Sequence, residues 1–444
     1  MRVSRRTSLG LVLGALGLAY GPPSMARGRS AVGGRVSLHV PWPLGSIDPH
    51  RIDDISAAIF GEALFDTLFT ISDGATVPSL ADRAIVAEGG TCKLTLREGV
   101  RTAAGKGFDV RDVTFSLERA RRMGARAWLV DIPTPKLDKG GDLVFAMKDA
   151  QRLERALASP LVAMVPRGFS ADAPDGTGPF RMTRRGDMWS LRRNVLAARG
   201  PAFLDEVLLA EAPDLATSLR AFESGKDDIG WLGLGLHEPR PQAKSFDLGA
   251  VGWAILRTGK EAGSWDEPGV AQRACDGFQA ARLASLSLGS PWKAESPLSW
   301  GGAPAQVLVR DDCPWLLEVA KAVAAMLSAP GHELTVKLVG QSDLRNLRGS
   351  RSFAFMVDVA RPLLPGTHGA FAGLSTADDP VTALRTVSRS VGKGELSPRT
   401  LTRTLRLGVI GEVRIAGGIM PHVAIPSSST FGADFARATL TRRF

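Results

Sequence analysis

At 444 residues the chain is too long for one ordinary domain, and 44% hydrophobic with 23% charged content excludes a disordered or fibrous polypeptide. Its net charge of +10 comes mostly from scattered arginines, without a long basic block or interleaved aromatics, which argues against a nucleic-acid partner. Cys92, Cys275 and Cys313 form no CxxC and have no histidine at ligand spacing, so no structural metal is expected. Either Cys275 and Cys313 pair, or all three are buried as small hydrophobes.

The N-terminus reads as an export signal. Arg2, Arg5 and Arg6 precede an apolar run from Leu9 to Tyr20, and Ser24-Met25-Ala26 offers small residues for cleavage after Ala26. A dozen helical residues reach about 18 Å, short of the roughly 30 Å of bilayer hydrocarbon. The Arg5-Arg6 pair resembles a twin-arginine leader, although Ser8 stands where that motif carries Phe. Ordinary secretion and an uncleaved anchor are the alternatives. No cysteine stands directly after the apolar run, so no lipid anchor is expected, and no later stretch approaches membrane length.

Arg35 to Val40 alternates as a first strand and runs into the non-helical loop Pro41-Trp42-Pro43-Leu44-Gly45. Apolar residues between Ile55 and Phe69 fall on one helical face. Cys92 to Leu96 is a strand. Asp109, with Asp112 three residues on, predicts a capped helix through Arg122, stacked on Val113, Leu117 and Ala120. Asp214 caps another helix, ended by Gly225, and Asp228 to Leu232 follows as a strand.

In the second half, Gln306 to Arg310 is a strand, Pro314 opens a helix to about Ser328, and Leu334 to Val339 is the next strand. This βαβ unit predicts parallel strands, with Phe353 to Val359 a third beyond it. That half is an α/β layer in its own right.

No catalytic machinery is visible in the sequence. There is no GxSxG, HExxH or Walker loop, and the six histidines form no ligand-spaced pair. Gly230, Gly233 and Gly235 are misspaced for a dinucleotide fingerprint. We therefore do not expect an enzyme or a cofactor.

Several segments, in order, carry a resemblance. Ser46-Ile-Asp-Pro-His50 is similar to an "LDPH" turn, Glu62-Ala-Leu-Phe-Asp-Thr-Leu68 to "E-x-L-Y-D-x-L", and Val77-Pro-Ser-Leu-Ala81 to "V-P-x-L-A". Leu94 to Val100 and Asp109 to Arg119 match two more, and Gly176-Thr-Gly-Pro-Phe180 resembles "G-T-G-P-Y". Phe203 to Val207 and Ala221 to Ile229 complete the series. The order resembles the extracellular solute-binding proteins of ABC importers, family 5, the oligopeptide, dipeptide and nickel group. From residue 250 on the likeness is looser, and Met420 to Val423 resembles the late "I-P-L-Y" return.

The resemblance implies an α/β, two-lobed periplasmic-binding-protein (Venus-flytrap) fold of the large peptide-binding class, with an insertion in the first lobe. It implies a leader at 1–26, lobe I at 27–250, lobe II at 251–412 and a return to lobe I at 413–444. It further implies a monomeric periplasmic protein that captures a small polar solute, peptide-like or a metal chelate, for an ABC transporter permease. Alternatives are a paralogue acting as a sensor or partner-binding protein, and an exported hydrolase. Ligand contacts are then expected from cleft loops and the hinge. Trp42 lies on the first of these loops. Asp48 and His50 suit polar ligand groups, while Asp48-Pro49 equally shapes a turn with His50 capping the next helix. Trp231 fits either a ligand stack or the core. Arg361 suits a carboxylate.

The chain departs from the family at two points. Its only tyrosine is Tyr20, in the leader. The family's "W-x-x-D-Y-x-D-P" segment is here Asp358 to Gly366, without Trp and with its acid displaced or replaced by Arg361, which argues against peptide binding.

Overall fold

The computed structural model describes residues 32–231, 240–290, 292, 296–378, 398–428 and 430–441. The leader, Gly233, Gly235 and His237 lie outside them.

The first body is built on strand β1 (Arg35–Val40) and helices α1 (Ile55–Leu64) and α2 (Val110–Met123). Strands β2 (Phe180–Arg185), β3 (Met188–Arg193) and β4 (Glu206–Glu211) and helix α3 (Leu215–Glu223) complete it. Its sheet runs β1-β4-β3-β2, with β1 and β4 parallel and the rest antiparallel. Inserted between α1 and β2 is a small second sheet from Val86–Glu88, Thr91–Leu94, Leu143–Phe145 and Lys136–Leu137. Leu94, Phe145 and Leu153 of the insertion pack with Leu117 of α2 in their own apolar cluster.

α2 begins as expected. The Asp109 side chain accepts from the Arg111 and Asp112 amides, while Asp112 reaches back to the Asp109 amide, closing a capping box. The expected helix from Ile55 to Phe69 stops early. Phe65 is already extended, and Phe69–Ser72 forms a hairpin with Ala75–Pro78. The reason is local: Asp73 and Gly74 both take positive φ, the Asp-Gly signature of a tight hairpin turn, which outweighs the helical spacing.

Strands β5 (Ile229–Trp231) and β6 (Lys244–Thr258) lead into the second body. There follow β7 (Ala305–Arg310), α4 (Pro314–Leu327), β8 (Leu334–Val339) and α5 (Gln341–Ser350). Next come β9 (Phe355–Ala360), α6 (Thr367–Asp378) and β10 (Leu407–Ile419). The sheet order is β5-β10-β6-β9-β7-β8. β7 and β8 are parallel around α4, as the βαβ reading requires, and β9 joins β7 in parallel. All six residues of β9 are buried, as befits a central strand covered on both faces.

The molecule is a two-lobed α/β fold. Long strands β6 and β10 pair antiparallel from Lys244↔Ile419 to Arg257↔Leu407, and their ladder shifts register between Asp247 and Ala250 and again before Gly252. Such bulges bend a strand pair and increase its local twist. Immediately before β5, the Asp228 amide donates to Ser37 O of β1, tying β5 to the first sheet. The largest apolar cluster crosses both bodies, from Val36 and Leu38 to Trp315 and Val319. All three cysteines are free and buried, so the pairing of Cys275 with Cys313 is excluded.

Candidate functional site

The loop after β1 carries the first predicted residue. Trp42 is buried, with its ring edge-on to Trp231 at 5.8 Å and to Trp315 at 6.2 Å. Trp315 belongs to α4 of the second body, and its amide donates to Pro41 O at 3.2 Å. Trp231 also packs against Phe60 of α1. The two predicted tryptophans therefore meet in the apolar seam between the bodies, where Trp42 Nε1 finds no hydrogen-bond partner among the described residues.

Asp48 and His50 meet at a third residue, Arg119 of α2. Its guanidinium grips Asp48 through two bonds of 2.8 and 2.6 Å and donates to His50 Nδ1 at 2.9 Å. With Nδ1 accepting, the ring proton sits on Nε2 and is donated to Ala163 O at 2.7 Å. His50 is fully buried, and desolvation pushes its pKa down to about 4. The bidentate arginine holds Asp48 below the usual carboxylate range despite burial. His50 does not cap the following helix. Asp54 does, accepting from the Ala57 amide, because the turn at Asp48 and Pro49 carries the His50 ring inward.

Arg361 follows β9 at the edge of the second body and reaches across to the first. It donates to Pro49 O, Arg51 O and Ala57 O at 3.2 to 3.3 Å, and its own amide donates to Ile52 O. Its guanidinium thus binds main-chain carbonyls, and burial lowers its pKa. Asp48, His50 and Arg361 all lie around the 48–57 segment with internal partners, some distance in sequence from Trp231.

The residues that sequence reasoning missed lie one step further along the same segment. Asp53, buried, receives Arg51 at 3.0 and 2.8 Å and Arg348 of α5 at 2.6 Å. Arg348 also donates to Asp358 of β9, whose other oxygen takes Arg257 of β6. Arg51 continues to Gln341 at 2.6 Å, and Gln341 to Asp312. A chain of charge-assisted bonds therefore crosses the seam from body to body. The flanking guanidinium groups hold Asp53 well below its ordinary value, although burial alone would raise it.

Beside this chain a cavity of about 330 Å³ opens between the bodies. Arg121, Arg122 and Arg126, at and beyond the C-terminus of α2, line it from one side. Arg257, Arg345, Arg348, Arg351 and Arg406 line it from the other, with Asp378 the one acid among the lining residues. Burial pushes Asp378 up and Arg121 down. The sequence does carry a trace of this surface: Arg345, Arg348 and Arg351 recur at every third residue. No group of three or more potential metal ligands occurs among the described residues.

Two bodies joined by bent strands, with a polar seam and cavity between them, make a two-lobed, hinged architecture. Residues 75–247 match the family described as bacterial extracellular solute-binding proteins, family 5 (middle segment). Over 92–93% of the chain the fold is shared with solved solute-binding proteins. The oligopeptide-binding protein AppA of Bacillus subtilis, in complex with a nonapeptide, superposes with a TM-score of 0.68 at 14% identity, over 93% of this chain and 100% of its own. NikA of Staphylococcus aureus, in complex with Ni(L-His)2, gives 0.64 at 15% identity over 92% and 100%. The ABC transporter-associated periplasmic binding protein DppA of Helicobacter pylori, in complex with the peptide STSA, gives 0.65 at 14% over 93% and 99%. No curated protein matches the chain in sequence.

Proposed function

We propose that this chain is an exported periplasmic receptor that captures a small polar solute between its two bodies and hands it to an ABC importer permease. The observation that carries the reading is the Asp53–Arg348 pair, one partner from each body, beside an interlobe cavity. A ligand in that cavity touches both bodies and so favours the closed form, which is how a hinged receptor signals occupancy. The relatives in the same fold hold a nonapeptide, a nickel–histidine chelate and a short peptide.

We place the lobe boundaries at 250/251 and 412/413. The register shifts of β6 between Asp247 and Gly252, opposite Val413 and Arg414, support that placement. The leader is removed after Ala26, and the mature chain acts as a monomer. No helix of the described residues is long and apolar enough to cross a membrane.

A second reading, a sensor or partner-binding paralogue without transport, draws support from one feature. Asp48 and Arg361 spend their bonding capacity on internal partners. Ligand-dependent closure decides between receptor and empty scaffold. The mature protein is screened by thermal shift, and each hit is followed by small-angle scattering. A receptor gains about 2.7 kcal/mol at a hundredfold excess of ligand over Kd and contracts. A hit that stabilises without contraction defeats the hinge mechanism. A closing ligand that does not stimulate uptake by the reconstituted importer favours the sensor.

A further inference from the structure

The interlobe cavity is lined by positive charge to a degree that the ion-pair chain does not use up. Arg257 and Arg348 are committed to Asp358 and Asp53. Arg351 and Arg406 lean on Asp266. Arg121 is bonded to Thr134 and Ile132 O at the end of α2. Three more, Arg122 and Arg126 from the first body and Arg345 from the second, have side chains without an ion pair or hydrogen bond among the described residues. All three are exposed where they line the cavity. Thr376 also lines it, 5% exposed, and its buried hydroxyl has no partner among the described residues.

Like charges gathered around one small space repel one another, and water screens them only while the space stays open. With the bodies bridged by Asp53 and Arg348, Arg122 and Arg126 line the same cavity as Arg345, and excluding water from it removes part of that screening. A neutral or cationic guest would leave the repulsion in place. A guest with anionic oxygens would turn it into charge-assisted, often bidentate, hydrogen bonds. Three unpaired guanidinium groups on two bodies suit at least two anionic groups on one molecule. The orphaned Thr376 hydroxyl supplies a further donor. At about 330 Å³ the cavity sits at the small end of ligand pockets, which excludes a long peptide from it.

We infer that the solute held between the bodies is a compact polyanion, a small molecule bearing two or more carboxylate or phosphate groups, bound by Arg122, Arg126 and Arg345 with Thr376. This rests on the receptor reading above and adds the chemical class of its ligand.

The test is titration calorimetry on the mature chain at low and high salt. The probes are tricarballylate, inorganic pyrophosphate, Glu-Glu, Gly-Gly and Lys-Lys. Tricarballylate and pyrophosphate separate carboxylate from phosphate recognition. The expected result is that at least one polyanion binds and that affinity falls steeply with salt. The R126Q/R345Q double variant should lose tenfold or more while unfolding at the wild-type temperature, since both side chains are exposed and unpaired. Binding of Gly-Gly or Lys-Lys with no polyanion binding overturns the ligand class but leaves the receptor standing. A polyanion that binds the double variant as tightly as wild type overturns the location. If no polyanion binds, the inference fails, and absence of closure with every probe counts against the receptor reading as well.

Discussion

The bridge from Asp53 to Arg348 is where the two bodies depend most directly on one another through charge. Replacing Asp53 with Ala strips Arg51 of its bidentate partner and Arg348 of one of its two carboxylates. Removing one side of a buried ion pair costs about 3–5 kcal/mol, because the remaining charge is left desolvated. Arg348→Met is gentler, since Asp53 keeps Arg51 and Asp358 keeps Arg257. Its expected loss is about 1–3 kcal/mol, that of a hydrogen bond to a charged group. The double variant should fall short of the sum, with a coupling of about 1–3 kcal/mol. Urea unfolding followed by far-ultraviolet circular dichroism and by tryptophan fluorescence supplies the free energies, taken where the two transitions coincide. Scattering on unliganded Arg348→Met should also show a larger radius of gyration, because the bridge favours closure. Single variants within about 0.5 kcal/mol of wild type, as for ordinary surface positions, together with unchanged scattering, would refute the bridge.

Three further outcomes follow from the same geometry. The buried neutral His50, with its pKa near 4 against 6.5 unfolded, contributes stability that is fully present above pH 6.5 and lost as the pH falls toward 4, about 3 kcal/mol in all. His50→Gln should flatten that part of the stability profile relative to wild type, and an unchanged slope would assign it elsewhere. Trp42→Phe should lose no more than about 1 kcal/mol, because the indole N–H it removes has no partner among the described residues, whereas Trp42→Ala should lose roughly 3–5 kcal/mol in thermal unfolding. Asp109→Ala opens the capping box of α2 and should lower stability by about 1 kcal/mol; a neutral result by calorimetry would show that the first turn is held by packing alone.

Much of the fold was legible in the sequence because it rests on short-range signals. Asp109 and Asp112 announce a capping box, Pro314 opens α4, and the alternation of β7 and β8 around it forces a parallel pair. The helix from Ile55 was overextended, since apolar spacing outran the Asp73-Gly74 turn that was also in plain view. The site was legible only in part. Trp42, Asp48 and His50 were found because they follow the first strand, but their partners Arg119 and Trp315 come from remote elements and have no local signature. Asp53 and Arg348 are 295 positions apart, and only the folded chain brings them together.

The distribution of chemistry along the seam suits a hinged receptor. Near β5 the bodies meet through Trp42, Trp231 and Trp315, apolar surface that is costly to expose and so stays packed. Around Arg348 they meet through guanidinium and carboxylate groups, which regain hydration when parted. A buried pair adds little net stability over an apolar contact, but it separates into water with less loss and re-forms only in one register. On the proposed reading the aromatic end therefore acts as the pivot and the charged end as the opening edge. The bulges of β6 between Asp247 and Gly252 absorb the bend. Replacing Asp53, Arg51 and Arg348 together by leucine or methionine should then raise thermal stability or leave it unchanged, yet slow opening and trap any bound ligand. Stopped-flow release measured on that triple variant tests the assignment, and release at the wild-type rate would place the opening edge elsewhere.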